Sequence, residues 1–321
     1  MTRVLVAPAA LKGVLGAGEA AAALGDGFRA AGIDADELPI ADGGDGTAEV
    51  LATALGGAWR KARASDALGR PVEARWLLLP DGTAVVESAE AIGLRRLRQD
   101  ELDPVAATSR GLGELLLEVE RARPRALVVC LGGSATVDGG AGVREVLRSL
   151  PFKTTVLHDV RTTLAGAAPL YGPQKGATPE QVRELGARLD AMEELRPHAA
   201  APGSGAAGGL GAAFAALGGE LAPGAPYVLE RILFRERARA AELVVTGEGA
   251  VDDTTLEGKA PGEALRVCRE ERVRCAVFGG RVLARLPGAE LHELPGGPGR
   301  AVEDLVALGR DLGDRLTHAS G

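Results

Sequence analysis

The residues of this chain that could do chemistry lie mostly in glycine-rich turns that also carry a carboxylate or a lysine. The densest turn is LGGSATVDGG, from Leu131 to Gly140. It follows Ala126 to Cys130, an apolar run that reads as a short buried strand, and it leads into Ala141 to Leu147, which reads as a helix. The backbone N–H groups of Gly132, Gly133 and Ser134, unobstructed at the entrance to a helix, suit an anion such as phosphate. For that turn alone the plainer reading is a βα connection in which glycine serves tight packing. Others share the pattern, however. Asp42 and Asp45 lie in ADGGDGT, Asp138 in the turn just described, Asp159 after His158, and Lys175 in GPQKGA. Glu248 lies in TGEG, with Asp252 and Lys259 beyond it. Carboxylates so placed can hold Mg²⁺ or orient a hydroxyl, and lysines can neutralise a transferring phosphoryl group. One such residue is ordinarily a solvated loop charge; so many together point to phosphate chemistry.

Competing signatures fall away. There is no GxxxxGK[ST] loop and no GxSxG elbow. PGSGAAGG matches GxGxxG at Gly203, Gly205 and Gly208, but no strand precedes it, so a dinucleotide fingerprint is not expected there. The four histidines show no metal-ligand spacing, and His158 alone lies near a candidate loop.

The elements that must position these turns follow α/β alternation. Arg3 to Ala7 reads as a first strand, Gly16 to Ala31 as a helix and Asp36 to Ile40 as a second strand, which releases into ADGGDGT and another helix. From Gly57 the texture changes: ARWLLLPDGTAVVES reads as a hairpin turning at Asp81-Gly82, and Gly111 to Glu120 as a helix. Thr154 to Val160 reads as a strand. Thr178 caps a helix with Pro179 at its first position, continuing to Glu194, and PGSGAAGGLGAAFAAL starts another. The last third gives a strand at Glu242 to Thr246, a helix at Gly262 to Arg272, a strand at Arg274 to Phe278 and a helix at Ala301 to Arg315. The expected fold is therefore α/β with two domains. Residues 1–57 and 241–321 form a parallel, Rossmann- or flavodoxin-like domain, and residues 58–240 an inserted mixed α/β domain. In open α/β sheets ligands bind beyond the carboxyl ends of the strands, where such loops gather.

Bulk properties agree. The chain has 321 residues, 46% hydrophobic and 25% charged, enough for a substantial core. A net charge of −7 and 3% aromatic content speak against a nucleic-acid partner. Cys130, Cys268 and Cys275 form no CxxC pair and read as small buried hydrophobes; with no signal peptide, they point to the cytoplasm. Ala199 to Gly219 is uncharged but rich in Ala and Gly and contains Pro202, so no membrane span is expected.

Taken in order, the turns resemble the bacterial glycerate kinase family of the glycerate 2-kinase type, which is unrelated to P-loop enzymes. The resemblance rests on Pro8 with Leu11-Lys12-Gly13, ADGGDGT, Thr108-Ser109 with Gly111 and Gly113, and LGGSATVDGGAG. It continues through YGPQKGA from Tyr171, PGSGAAGGLGAA, TGEG with Asp252, and Gly258-Lys259-Ala260-Pro261. It implies a kinase that moves the γ-phosphoryl of ATP, with Mg²⁺, onto a hydroxyl of D-glycerate or a related small hydroxy acid in a cleft between two domains. Lys12, Asp42, Asp138 and Asp252 would be catalytic, with Asp42, Asp138 and Asp252 as Mg²⁺ carboxylates. Gly132, Gly133, Ser134, Lys175, Glu248 and Lys259 would bind substrate or nucleotide. Neither nucleic acid nor membrane is implied as a partner; a homodimer is compatible.

Departures from the family pattern bear on the acceptor. Where the family usually reads P-D-S-F-K-G-S, this chain has Pro8-Ala9-Ala10-Leu11-Lys12-Gly13-Val14. After Asp159-Val160 the usual Asn-Asn-Pro is replaced by Arg161-Thr162-Thr163, and after TGEG the usual Arg-Leu-Asp-Ser-Gln-Thr becomes Ala250-Val251-Asp252-Asp253-Thr254-Thr255. Each lost partner of a substrate hydroxyl costs about 1–3 kcal/mol of discrimination unless replaced, and Arg161 or His158 are candidate replacements. Two alternatives follow: the same fold acting on another acceptor, or an inactive homologue that binds a nucleotide or small acid.

Overall fold

The computed structural model describes residues 4–319. The strands among them are β1 (Val4–Pro8), β2 (Ala35–Glu37), β3 (Ala58–Ser65), β4 (Pro71–Leu78), β5 (Thr83–Glu87) and β6 (Ala126–Leu131). After these come β7 (Lys153–His158), β8 (Glu220–Pro223), β9 (Leu243–Glu248), β10 (Arg274–Gly279) and β11 (Glu290–Glu293). Arg3, the expected start of the first strand, lies outside the described residues. The chain divides into two compact units. One comprises the chain up to Asp42, Glu49–Ala54 and everything from Ala225 on; the other comprises Gly43–Ala48 and Leu55–Gly224.

In the first unit five strands form a parallel sheet in the order β11-β10-β9-β1-β2. Helices cover parallel strands on both faces, so such strands read as continuous apolar runs, and β1 is buried along its whole length. The chain leaves β1 to one side for β2, returns in β9 on β1's other flank, and proceeds away through β10 to β11. The winding therefore reverses between β1 and β9, the place where open α/β sheets form a ligand crevice beyond their carboxyl ends. Thr246 Oγ1 on β9 donates to the carbonyl of Ala7 on β1 at 2.6 Å, locking these two strands together. The helices Ala17–Ala30 and Ala301–Ala319 pack through glycines: a Cβ on Gly27 would lie 2.2 Å from the Val306 carbonyl. Phe28 and Phe278 are fully buried in this unit's core.

In the second unit six strands run in the order β3-β4-β5-β6-β7-β8. β3, β4 and β5 form an antiparallel meander, and β5 through β8 are parallel. The expected β4–β5 hairpin turns at Asp81-Gly82, with Gly82 at φ +85 and Asp81 Oδ1 accepting the N–H of Thr83 at 2.9 Å. Thr178 caps the helix Pro179–Asp190 as expected, its hydroxyl accepting from the Gln181 N–H at 3.3 Å. That helix stops at Asp190 rather than Glu194, and residues Glu193–His198 form a separate tight turn.

The glycine-rich stretch before Ala216 is not regular helix at its start. Ala207, Gly208 and Gly209 have φ of +51, +75 and +95, and a Cβ on Gly208 would lie 2.1 Å from the Thr136 carbonyl. The glycines let this turn pass close to the loop after β6. All three cysteines are buried, and among the described residues none is in a disulfide. Among the described residues, no helix is long and apolar enough to cross a membrane.

Candidate active site

At the reversal point of the first unit, the loops leaving β1 and β9 carry charge. Lys12 stands in the turn after β1, its Nζ 4.0 Å from Asp42 Oδ2, which follows β2. Glu248 ends β9 and is largely buried. Burial raises its pKa above the usual carboxylate value, and the Thr255 hydroxyl, donating to Oε1 at 2.8 Å, and Lys259 temper the rise. Lys259 Nζ is shared between Glu248 Oε2 at 3.2 Å and Asp252 Oδ1 at 3.4 Å. The Thr254 hydroxyl and Lys259 hold the Asp252 carboxyl below its ordinary value, so it is charged at neutral pH. The β1 and β9 loops adjoin: a Cβ on Gly249 would be 3.8 Å from Leu11 Cα and Lys12 N. This unit thus brings Lys12, Asp42, Glu248, Asp252 and Lys259 to the same end of one sheet, with two lysines against three carboxylates.

In the second unit Lys175 is 3% exposed. Its ammonium donates to Ser134 Oγ at 3.1 Å and to the Thr136 carbonyl at 2.7 Å, and lies 5.8 Å from the centre of the Tyr171 ring. Burial pulls its pKa down to about 7, against which the Asp138 charge pushes upward. Asp138 itself is engaged within its unit. Its Oδ2 accepts from the N–H and hydroxyl of Ser109 at 2.8 and 2.7 Å and from the Gly142 N–H at 3.2 Å, and its Oδ1 from the Gly140 N–H at 3.0 Å. Four donors on one carboxylate make it the clasp of this loop. Gly132 is likewise tied inward, its N–H donating to Ser88 Oγ at 3.3 Å. Gly133, exposed and at φ +63, is the open part of the turn.

His158 ends β7 and is 5% exposed; burial lowers its pKa, its Nδ1 has no hydrogen-bond partner among the described residues, and Gly203 packs on its ring. Arg161 is exposed. The sequence reading passed over a further charged group: Glu87, Glu90 and Arg95. Glu87 ends β5 and Glu90 follows on the helix Ser88–Ile92. Arg95 bridges Glu90 Oε1 at 2.9 Å and Asp45 Oδ1 at 3.1 Å. Burial would raise the Glu90 pKa, but bonds from the Arg75 N–H and guanidinium outweigh it. Nothing local in ESAEAIGLRR marks these residues, because their partners come from β4 and from the acidic loop.

Among the described residues no three or more His, Cys, Asp or Glu side chains are grouped so as to hold a metal ion. Mg²⁺ that arrives with phosphates needs only one or two protein carboxylates, so Asp42 and Asp252 suit it.

The chain matches the model of the glycerate kinase family over residues 4–152 and 148–294. It is 35% identical over 313 residues to the glycerate 2-kinase of Escherichia coli (strain K12), covering 84% of this chain and 82% of that one. It is 34% identical over 304 residues to the glycerate kinase of Bacillus subtilis (strain 168), covering 81% and 80%. Its fold aligns with a crystal structure from Salmonella typhimurium LT2, assigned as a glycerate kinase 2. The TM-score is 0.82 at 28% identity, over 99% of both chains. The ordered turns, the two α/β sheets and these likenesses agree, and the chain belongs to the glycerate kinase family of phosphotransferases.

Proposed function

We propose that this protein transfers the γ-phosphoryl of ATP to a hydroxyl of D-glycerate or a closely related small hydroxy acid, in the cytoplasm. The observation that carries the reading is the pairing of Lys12 with Asp42 and of Lys259 with Glu248 and Asp252 at the carboxyl end of the β1 and β9 strands. Phosphoryl transfer asks the protein for positioning and charge neutralisation, with little covalent chemistry of its own. Lys12 and Lys259 supply positive charge to the phosphates. Asp252, charged at neutral pH, and Asp42 orient the attacking hydroxyl or hold Mg²⁺. Mg²⁺, when bound, supplies charge neutralisation across the phosphate oxygens. Lys175 and the Gly133 turn bind the anionic end of a substrate, and Asp138 serves by shaping that turn.

A second acceptor class is favoured by one feature: Ala9, Ala10 and an exposed Val14 leave the turn after β1 with no side-chain hydroxyl or carboxylate. A coupled assay of ADP release with D-glycerate and a panel of small hydroxy acids decides between them. Turnover is expected with D-glycerate at low concentration. Turnover confined to a less hydroxylated or bulkier acid would favour the second acceptor class. ATP binding by calorimetry without turnover of any acceptor would overturn both.

A further inference from the structure

Glu87 sits at the carboxyl end of β5 and is 5% exposed. In the parallel ladder it lies level with Cys130 of β6, which lies level with Leu157 of β7. Residues level in a ladder share a face of the sheet. A Cβ on Gly43 would meet the Leu157 side chain at 3.0 Å, so the loop 43–48 crosses that same face. Glu87 Oε1 accepts the Ala48 N–H at 2.7 Å, and its carboxyl also takes a backbone bond from Gly46. Immediately before Gly46 is Asp45, bonded to Arg95 and bordering the glycine turn: a Cβ on Gly133 would lie 3.8 Å from Asp45 Oδ2. The 93–95 segment runs alongside the same turn, the Leu94 N–H donating to the Gly133 carbonyl at 2.7 Å.

We infer that Glu87 is the positioning residue of the acidic loop, holding Asp45 and Arg95 at the lip of the Gly132–Ser134 turn for the phosphoryl-transfer reaction. This rests on the kinase reading above. A carboxyl group suits the task because it offers oxygens to two backbone donors from inside the sheet. Burial first, and then the neighbouring charges of Asp45 and Glu90, push its pKa up to about 7. Below that pH it is neutral, and Asp45 is balanced by Arg95. Above it, a second negative charge stands behind a turn that receives an anionic substrate, and binding weakens.

The test compares wild type, Glu87→Gln and Glu87→Ala. The amide of Ala48 is followed by hydrogen exchange, and kcat and KM are measured from about pH 6 to about pH 9. Glu87→Gln keeps an acceptor oxygen, so Ala48 stays protected, kcat stays within about threefold of wild type, and the rise of KM above neutral pH disappears. Glu87→Ala is expected to speed Ala48 exchange by at least about tenfold and to lower kcat/KM by about 100-fold. Unchanged Ala48 protection in Glu87→Ala overturns the inference, as does a Glu87→Gln enzyme that retains the wild-type dependence of KM on pH. Should Glu87→Ala fail to fold, the Glu87→Gln profile decides. Should the wild type turn over no acceptor, the kinase reading fails, while the exchange data still report on the loop.

Discussion

Lys175 bears a cost that its neighbours only partly offset. An ammonium group at 3% exposure with two acceptors has lost most of its hydration, and its pKa falls to about 7. The sign of the pH effect follows from linkage: the unfolded chain holds this proton up to the ordinary lysine range, so the burial cost is full below about pH 7 and is relieved as pH rises above it. Replacing Lys175 by Met should therefore leave stability at pH 7 unchanged or higher, with the advantage shrinking at alkaline pH in urea unfolding. Activity should fall by about 100-fold or more, as expected for a lost counter-charge to the anionic end of a substrate. Asp138 behaves differently. Loop carboxylates ordinarily add little to stability, but this one gathers donors from Ser109, Gly140 and Gly142. Asp138→Asn puts an amide where donors converge and should cost about 3 kcal/mol of stability by chemical denaturation, with activity falling in step. The glycines around Asp138 were legible in the sequence, and so was the loop they form after β6. Its bonds to Ser109 were not, because Ser109 belongs to a different element, 29 residues earlier in the chain.

At the scale of elements, long periodic segments were readable and edges were not. The buried strands β1, β6, β9 and β10 announce themselves as apolar runs, and the helices between them by their caps and spacing. β3, AWRKARAS, carries no such pattern, because residues 58–61 are exposed and it ends the sheet. β8 and β11 are four residues each, too short for a period to show. The charge on β3 has a physical use. Its Lys61 pairs with Glu73 at 2.6 Å, and Trp59 is covered by the Arg75 guanidinium at 4.8 Å from the ring centre. An edge strand offers unpaired backbone groups to any other strand, and lysine and arginine there discourage pairing. Replacing Lys61 and Arg63 together by Thr should leave turnover unchanged. It should promote concentration-dependent self-association, visible by light scattering or sedimentation.

For the whole molecule, the α/β class and the joining of both chain ends into one parallel sheet were legible because βαβ alternation restarts near the end of the chain. The charged set of Glu87, Glu90 and Arg95 was not, since it forms only when separate strands are aligned. The order of that parallel sheet also governs how the protein can be made. β1 has β2 on one flank and β9 on the other, and β9 starts at Leu243. As the ribosome proceeds, β1 must wait for residues 9–242 to be made before its central partner exists. Leu55–Gly224 by then is fully synthesised and can settle on its own schedule. The apolar β1 is meanwhile a half-paired strand, the condition in which nascent chains depend most on chaperones.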